Sequence, residues 1–86
     1  MTGSYELRIK RSAEKELRAA SRPDLPKLIN RIQSLAHEPR PPGCQKLSGQ
    51  DAYRIRQGDY RIIYTVDDQV RMIEIVKVGH RKEVYR

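Results

Sequence analysis

The composition of this 86-residue chain leaves little room for metal or redox chemistry. The single cysteine, Cys44, excludes an internal disulfide and any zinc site that needs several cysteine ligands. The only two histidines, His37 and His80, lie in different segments, and neither has cysteines at ligand spacing. No glycine-rich phosphate-binding loop is present either. We therefore expect no metal and no cofactor, so that any catalysis would depend on ordinary side chains.

Long apolar runs are also missing. No segment approaches the roughly 20 apolar residues of a membrane span, and no apolar signal segment follows Met1. We expect no membrane association and a cytoplasmic location. A chain of 86 residues forms one small domain, residues 1–86, with a single modest core. Any active site should therefore lie on its surface.

Positive charge is what the chain has in excess. Eighteen lysines and arginines stand against eleven acidic residues, which gives a formal net charge of +7 and an isoelectric point near 9.9. Such a balance favours phosphate-rich or acidic partners. Many nucleic-acid-binding domains share it, so charge alone does not identify the partner.

Hydrophobic periodicity predicts an α+β fold. Alternation at Tyr5, Leu7 and Ile9 predicts an N-terminal strand with one buried face. A short helix should follow, with Ser12 as its N-cap and its end at about Ala20. A second helix should begin after its cap residue and carry one apolar stripe. Its predicted cap and stripe are Asp24, Leu25, Leu28, Ile29, Ile32, Leu35 and Ala36. The two helices would form a hairpin that covers one face of a three-stranded antiparallel sheet.

The most informative segment is residues 53–64, which predicts a β-hairpin around a two-residue turn, Gly58 and Asp59. Directly paired residues share a face of the sheet. One predicted face is apolar and consists of Tyr53, Ile55, Ile62 and Tyr64. The other gathers three arginines, Arg54, Arg56 and Arg61. Like charges placed opposite each other destabilise a hairpin, so these arginines either extend into water or bind an anion.

A last strand is predicted over residues 70–78, after a turn at Asp67 and Asp68. With a two-residue loop at that turn, Glu74 would lie opposite Arg61, where an ordinary ion pair is the preferred interpretation over a catalytic carboxylate. Gly79 should end the strand. The cationic, aromatic-containing tail that follows could then fold over the arginine face.

This set of residues is chemically sufficient to cleave RNA without a metal, because the 2′-hydroxyl is an internal nucleophile. Arginines can stabilise charge on the phosphorane oxygens through bidentate hydrogen bonds. The imidazole of His80 could exchange protons with the attacking or leaving oxygen, although an ordinary surface histidine is an equally good interpretation. Tyr85 could stack on an unpaired base. DNA lacks the 2′-hydroxyl and would be bound without being cut.

Three motifs occur in a familiar order: Tyr-Arg-Ile-Arg from Tyr53, Gly-Asp-Tyr-Arg-Ile-Ile-Tyr from Gly58, and Val-Gly-His-Arg-Lys-Glu-Val-Tyr-Arg from Val78. Together they resemble the RelE branch of the RelE/ParE superfamily, the toxins of type II toxin–antitoxin pairs. The resemblance covers nearly the whole chain and implies a RelE-like, microbial-ribonuclease-type fold. It also implies a ribosome-dependent mRNA endonuclease that cleaves the codon exposed in the ribosomal A site by attack of the 2′-hydroxyl.

The resemblance assigns roles to individual positions. Arg61 and Arg81 match the family's basic residues at the scissile phosphate, and Tyr85 matches its C-terminal tyrosine near the substrate base. Arg54 and Arg56 match a pair that is lysine in the best-studied members. Because arginine stays protonated, these two cannot readily act as a general base.

We therefore assign Arg54 and Arg56 to RNA binding and charge stabilisation, and His80 becomes the preferred proton-transfer residue. Two further cations of the tail, Lys82 and Arg86, are assigned to RNA binding.

The partner that the resemblance implies is a cognate antitoxin, RelB-like or of another type, whose complex with the toxin would bind operator DNA through the antitoxin. An acidic or amphipathic disordered segment would suit the basic surface. Two alternatives stay open. One is a ParE-like inhibitor of DNA gyrase without nuclease activity, and the other is a degenerate member that only binds its antitoxin or RNA.

Overall fold

A computed structural model describes residues 4–47 and 51–80 of the chain. Its elements are the strands β1 (Glu6–Ile9), β2 (Gln45–Lys46), β3 (Ala52–Gln57), β4 (Tyr60–Asp67) and β5 (Met72–His80), and the helices α1 (Arg11–Arg18) and α2 (Leu25–Ser34). The strands form one sheet in the order β1-β5-β4-β3-β2. β1 runs parallel to β5, and the other neighbours are antiparallel. The predicted α+β class is confirmed, with the two-residue strand β2 as an addition.

The β3–β4 hairpin has the predicted register. Arg56 pairs with Arg61 and Ile55 with Ile62, across a turn in which Gly58 adopts a φ of +61°. A positive φ is accessible to glycine without a Cβ clash, which allows the tight turn. The predicted separation of an apolar face from an arginine face is therefore confirmed.

The core lies between the apolar face of the sheet and the two helices. Both predicted inward residues of α1, Ala13 and Leu17, are buried. The buried residues that complete the core are Leu28, Ile32 and Leu35 from α2 and its C-cap, and Tyr53, Ile55, Ile62, Tyr64, Val66, Ile73, Ile75 and Val78 from the sheet. Ile9 and Ile29 were predicted on buried faces, but both are partly exposed. β1 is an edge strand, and Ile29 lies at the margin of the α2 stripe.

The boundaries of α1 differ from the prediction. Its N-cap is Lys10 rather than Ser12, and the helix ends at Arg18 with Ala19 as C-cap, not at Ala20. β1 is followed almost directly by α1, which begins at Arg11, so Ser12 lies inside the first turn of the helix. Asp24 is the N-cap of α2 as predicted, although its carboxylate accepts a hydrogen bond from Ser21 Oγ instead of capping backbone groups.

The register of β5 also differs from the prediction. Residues 68–71 form a longer connection than the expected two-residue turn, with Arg71 at a φ of 57°. A register shift next to Ile63 and Tyr64 then moves β5 by one more residue. As a result Arg61 lies opposite Gly79, while Glu74 lies opposite Thr65. The predicted pairing of Glu74 with Arg61 is wrong, and Gly79 continues the strand rather than ending it.

The connection from α2 to β2 is held against the sheet by polar contacts. The buried Tyr64 hydroxyl donates a 2.6 Å hydrogen bond to the Pro39 carbonyl. Arg40 donates to Tyr53 Oη and to both carboxylate oxygens of Asp68, and Tyr5 Oη also donates to Asp68. The Arg40 and Tyr5 bonds hold the pKa of Asp68 below its usual value. This network joins four distant segments at one end of the sheet.

Neither helix in the described ranges has the length and the apolarity that a membrane span requires.

Candidate nucleic-acid interface

The sheet presents a basic surface on the side away from the helices. Arg54 and Arg56 of β3 and Arg61 of β4 share this surface, which we call the arginine face. The exposed Arg56 is paired directly with Arg61, and the half-buried Arg54 donates to Gln45 Oε1. The structure thus brings together all three of the arginines that the sequence predicted to lie on one face.

Arg61 has an unusual environment for an arginine. Only 5% of the residue is exposed, and it is the one buried charged residue in the described part of the chain. It lies opposite Gly79, which has no side chain, and its Nη1 lies 3.5 Å from the Tyr60 carbonyl oxygen. Packing restricts the rotamers of a buried guanidinium, so this cation is held in place.

Charged side chains lie at both ends of the β3–β4 hairpin. Arg56 and Arg61 lie at the end of the hairpin that carries the Gly58 turn. The carboxylates of Asp51 and Asp67 lie at the opposite end, where they line a shared open pocket. Asp59 also lies in the Gly58 turn, and Arg40 forms an ion pair with Asp68 beside the acidic end, so neither end of the sheet carries charge of one sign only.

A pocket of about 300 Å³ adjoins the arginine face at the outer edge of β3. Arg54 and Arg56 line it together with Gly43, Gln45 and Arg31, the last of which belongs to the final turn of α2. Sequence reasoning did not single out Arg31. Its separation from β3 in sequence hides their proximity, and its place in the last turn of a helix is common for a cation.

His80 lies on the other side of the sheet from the arginines. It pairs with Tyr60, and the two rings meet edge to face with centroids 5.8 Å apart. Tyr60 Oη accepts a 3.4 Å hydrogen bond from the Ser21 backbone, in the loop between the helices. Both rings line a pocket of about 280 Å³ that also includes Glu16 of α1. The structure therefore does not bring His80 onto the arginine face.

The remaining predicted site residues, Arg81, Lys82, Tyr85 and Arg86, lie outside the described residues. Their assigned roles stay predictions. Within residues 4–47 and 51–80, no group of three or more histidine, cysteine or acidic side chains is placed to hold a metal ion.

Comparison with known proteins agrees with this architecture. Residues 7–85 match the family model of the ParE toxin of the type II toxin–antitoxin system, parDE. Toxin RelG of Mycobacterium tuberculosis is 38% identical over 34 residues, which span 40% of this chain and 39% of that protein.

Two solved structures extend the likeness to the whole fold. The isolated E. coli RelE toxin superposes with a TM-score of 0.79 at 30% identity, covering 95% of this chain and 92% of that one. The RelE chain of the archaeal RelE–RelB complex from Pyrococcus horikoshii gives a TM-score of 0.79 at 28% identity, covering 91% of this chain and 96% of that chain. The chain belongs to the RelE/ParE superfamily and is a toxin of the type II toxin–antitoxin class.

Proposed function

We propose that this toxin is a ribosome-dependent mRNA endonuclease that cleaves codons in the A site. The observation that carries the proposal is the arginine face, where Arg54, Arg56 and Arg61 share one side of the β3–β4 hairpin. These are positions at which RelE-type toxins have basic residues. The proposal also includes a single domain over residues 1–86 that acts in the cytoplasm.

In the proposed reaction the 2′-oxygen attacks the adjacent phosphorus while the bond from phosphorus to the 5′-oxygen breaks. The products are a 2′,3′-cyclic phosphate, or its opened form, and a 5′-hydroxyl end. The 2′-hydroxyl proton leaves to a base, and the 5′-oxygen receives a proton. Arg61 and Arg81 stabilise charge on the phosphoryl oxygens in the transition state. Arg54 and Arg56 hold the flanking backbone, and Lys82 and Arg86 add further RNA contacts.

Two side chains complete the proposed site. Tyr85 stacks on a base of the codon, which fixes the nucleotide for in-line attack. His80 transfers protons, since neither Arg54 nor Arg56 can act as a base. Because its ring lies on the helix side of the sheet, the substrate would have to reach it around the end of β5. The variant His80→Gln tests this role: a pH–rate profile and rate equal to those of the unsubstituted toxin would remove His80 from the mechanism.

The decisive experiment is primer extension on a defined mRNA in purified ribosomes with an empty A site, with and without a metal chelator. We expect chelator-resistant cleavage within the A-site codon that requires the ribosome. Arg61→Ala and Arg81→Ala should each lose most of this cleavage. Arg18→Ala is the matched control, because this arginine forms its ion pair with Glu14 on the surface of α1. Full cleavage by the Arg61 and Arg81 variants would show that the site is wrong.

The proposed partner is a cognate antitoxin. The Pyrococcus horikoshii relative was solved as a complex of RelE with RelB, which supports a RelB-like partner for this chain. A net charge of +7 suits an acidic segment that folds onto the toxin. The toxin–antitoxin complex would then bind operator DNA through the antitoxin.

A second function is favoured by one specific observation: residues 7–85 match the family model of the ParE toxin. Under this alternative the chain inhibits DNA gyrase and cuts no nucleic acid. Loss of gyrase supercoiling activity with mRNA left intact would establish it. A degenerate member that only binds its antitoxin or RNA would neither cleave mRNA nor inhibit gyrase, and it would cause no growth arrest when expressed without antitoxin.

A further inference from the structure

The pocket at the outer edge of β3, which we call the edge pocket, is built by three elements. Arg31 comes from α2, Gly43 and Gln45 from the α2–β2 connection and β2, and Arg54 and Arg56 from β3. It lies where the sheet narrows, because β2 pairs only with Arg54 and Tyr53 while β3 continues to Gln57. Gly43 makes the turn into β2 with a φ of +91°, a conformation that favours glycine.

The charge in the edge pocket is concentrated. Three guanidinium groups, those of Arg31, Arg54 and Arg56, line about 300 Å³ of space. Among the described residues, no carboxylate forms a salt bridge with Arg31 or with Arg56. Converging cations repel one another, and an anion bound between them removes that cost while gaining charge-assisted hydrogen bonds. The pocket is therefore suited to a multiply hydrogen-bonding anion.

The lining also indicates which anion fits. Apart from Gly43, every lining residue is an arginine or a glutamine. An amphipathic antitoxin helix needs an apolar groove for its anchoring side chains, which this pocket does not offer. Arginine forks match phosphate oxygens bidentately, and the Gln45 amide can hydrogen-bond a sugar hydroxyl or a phosphate oxygen. The composition favours a sugar–phosphate backbone over a peptide.

We infer that the edge pocket is a second RNA-backbone subsite, in which Arg31 and Gln45 act with Arg56 to hold a phosphate that flanks the scissile one. This inference rests on the proposed function, since it takes RNA as the substrate. Arg31 is thereby a positioning residue: it sets the direction in which the RNA strand leaves the arginine face and crosses the outer edge of β3. It does not touch the reacting atoms.

The test uses a ribosome-free, uncleavable probe, a 2′-O-methyl RNA of about ten nucleotides, whose binding is followed by fluorescence anisotropy over a range of salt concentrations. Arg31→Gln should weaken binding about tenfold. It should also reduce the slope of log Kd against log salt by about 0.7, the value for one lost phosphate contact on a single strand. Arg31→Lys, which keeps the charge but not the fork, should retain part of the affinity.

Two further variants give a second test of the pocket and a charge-matched control. Gln45→Glu changes an exposed residue and places a carboxylate in the pocket, so it should weaken RNA binding even if Arg31→Gln fails to fold. Arg18→Gln removes the same charge from α1, which packs beside β5 rather than β3, and should leave both affinity and slope unchanged.

Normal RNA affinity in folded Arg31→Gln and Gln45→Glu would overturn the inference. A polyglutamate peptide is titrated in parallel: if Arg31→Gln weakens polyglutamate binding but not RNA binding, the pocket takes carboxylates and the assignment to phosphate is wrong. The RNA-binding probe needs neither the ribosome nor cleavage. Failure of the endonuclease assay would therefore overturn the proposed function, while the anisotropy measurement would still decide whether the edge pocket binds RNA.

Discussion

The substitution Arg56→Gln should affect stability and activity in opposite directions. Arg56 is exposed and lies directly opposite Arg61 in the β3–β4 ladder, so the fold places two like charges on neighbouring strands. Removing one of them relieves a repulsion. It also removes a guanidinium that the proposed reaction uses to hold RNA.

The expected gain in stability is small but measurable. Cross-strand pairs contribute about 0.2–1 kcal/mol, and for like charges directly opposite each other this contribution is unfavourable. For a domain of this size, that gain raises the Tm by about 1–8 °C at low ionic strength. At about 1 M salt the Debye length falls to about 3 Å, so the gain should largely disappear.

The expected loss of activity is larger. A hydrogen bond between a charged donor and a phosphate contributes about 1.5–3 kcal/mol, which corresponds to a loss of about 10- to 150-fold in ribosome-dependent cleavage. Arg56→Lys keeps the charge, and should therefore keep the original Tm and part of the activity. Arg18→Gln also lowers the net charge by one, but it breaks an ion pair with Glu14 and should not raise the Tm.

Thermal melts at low and high salt, together with primer extension, measure both effects on the same protein samples. A Tm at low salt that is unchanged or lower in Arg56→Gln would refute the expectation that repulsion between Arg56 and Arg61 destabilises the folded protein. Undiminished cleavage would separately refute the assignment of Arg56 to RNA binding.

Three further predictions concern the framework that supports the site. Tyr64→Phe should lower the free energy of unfolding by about 1–2 kcal/mol in urea titrations, because the buried hydroxyl donates to the Pro39 carbonyl. Asp68→Asn should lower the Tm at pH 7. Since hydrogen bonds from Arg40 and Tyr5 depress the folded-state pKa of Asp68, this stabilisation is fully present above the unfolded value of about 4 and is lost as the pH falls through the lower folded value, so the difference in Tm should shrink as the pH is lowered below about 4. Leu28→Ala should cost about 2–5 kcal/mol in the same titrations, since this side chain is fully buried.

The β3–β4 hairpin shows why part of the candidate site was predictable. A tight turn at Gly58 and strict alternation on both sides determine which residues pair, and the period of two then determines which share a face. All of this information lies within residues 53–64. The arginine face could therefore be derived without knowledge of the rest of the fold.

The partner of Arg61 on β5 shows where such reasoning fails. Its identity depends on the length of the connection over residues 68–71 and on a register shift within the strand. Each added residue moves every later side chain to the opposite face. The sequence pattern therefore predicted Glu74, rather than Gly79, as the residue opposite Arg61. It also did not indicate that His80 lies on the helix side of the sheet.

What the sequence by itself determined was the class of fold, the basic character of the surface and the gathering of Arg54, Arg56 and Arg61, because these follow from composition and short-range periodicity. Only the tertiary structure decided that Arg61 is buried opposite Gly79 and that Arg31 of α2 lies beside β3. Both outcomes require segments far apart in the chain to meet. Their meeting is governed by packing of the helices on the sheet and by strand register, neither of which a local pattern encodes.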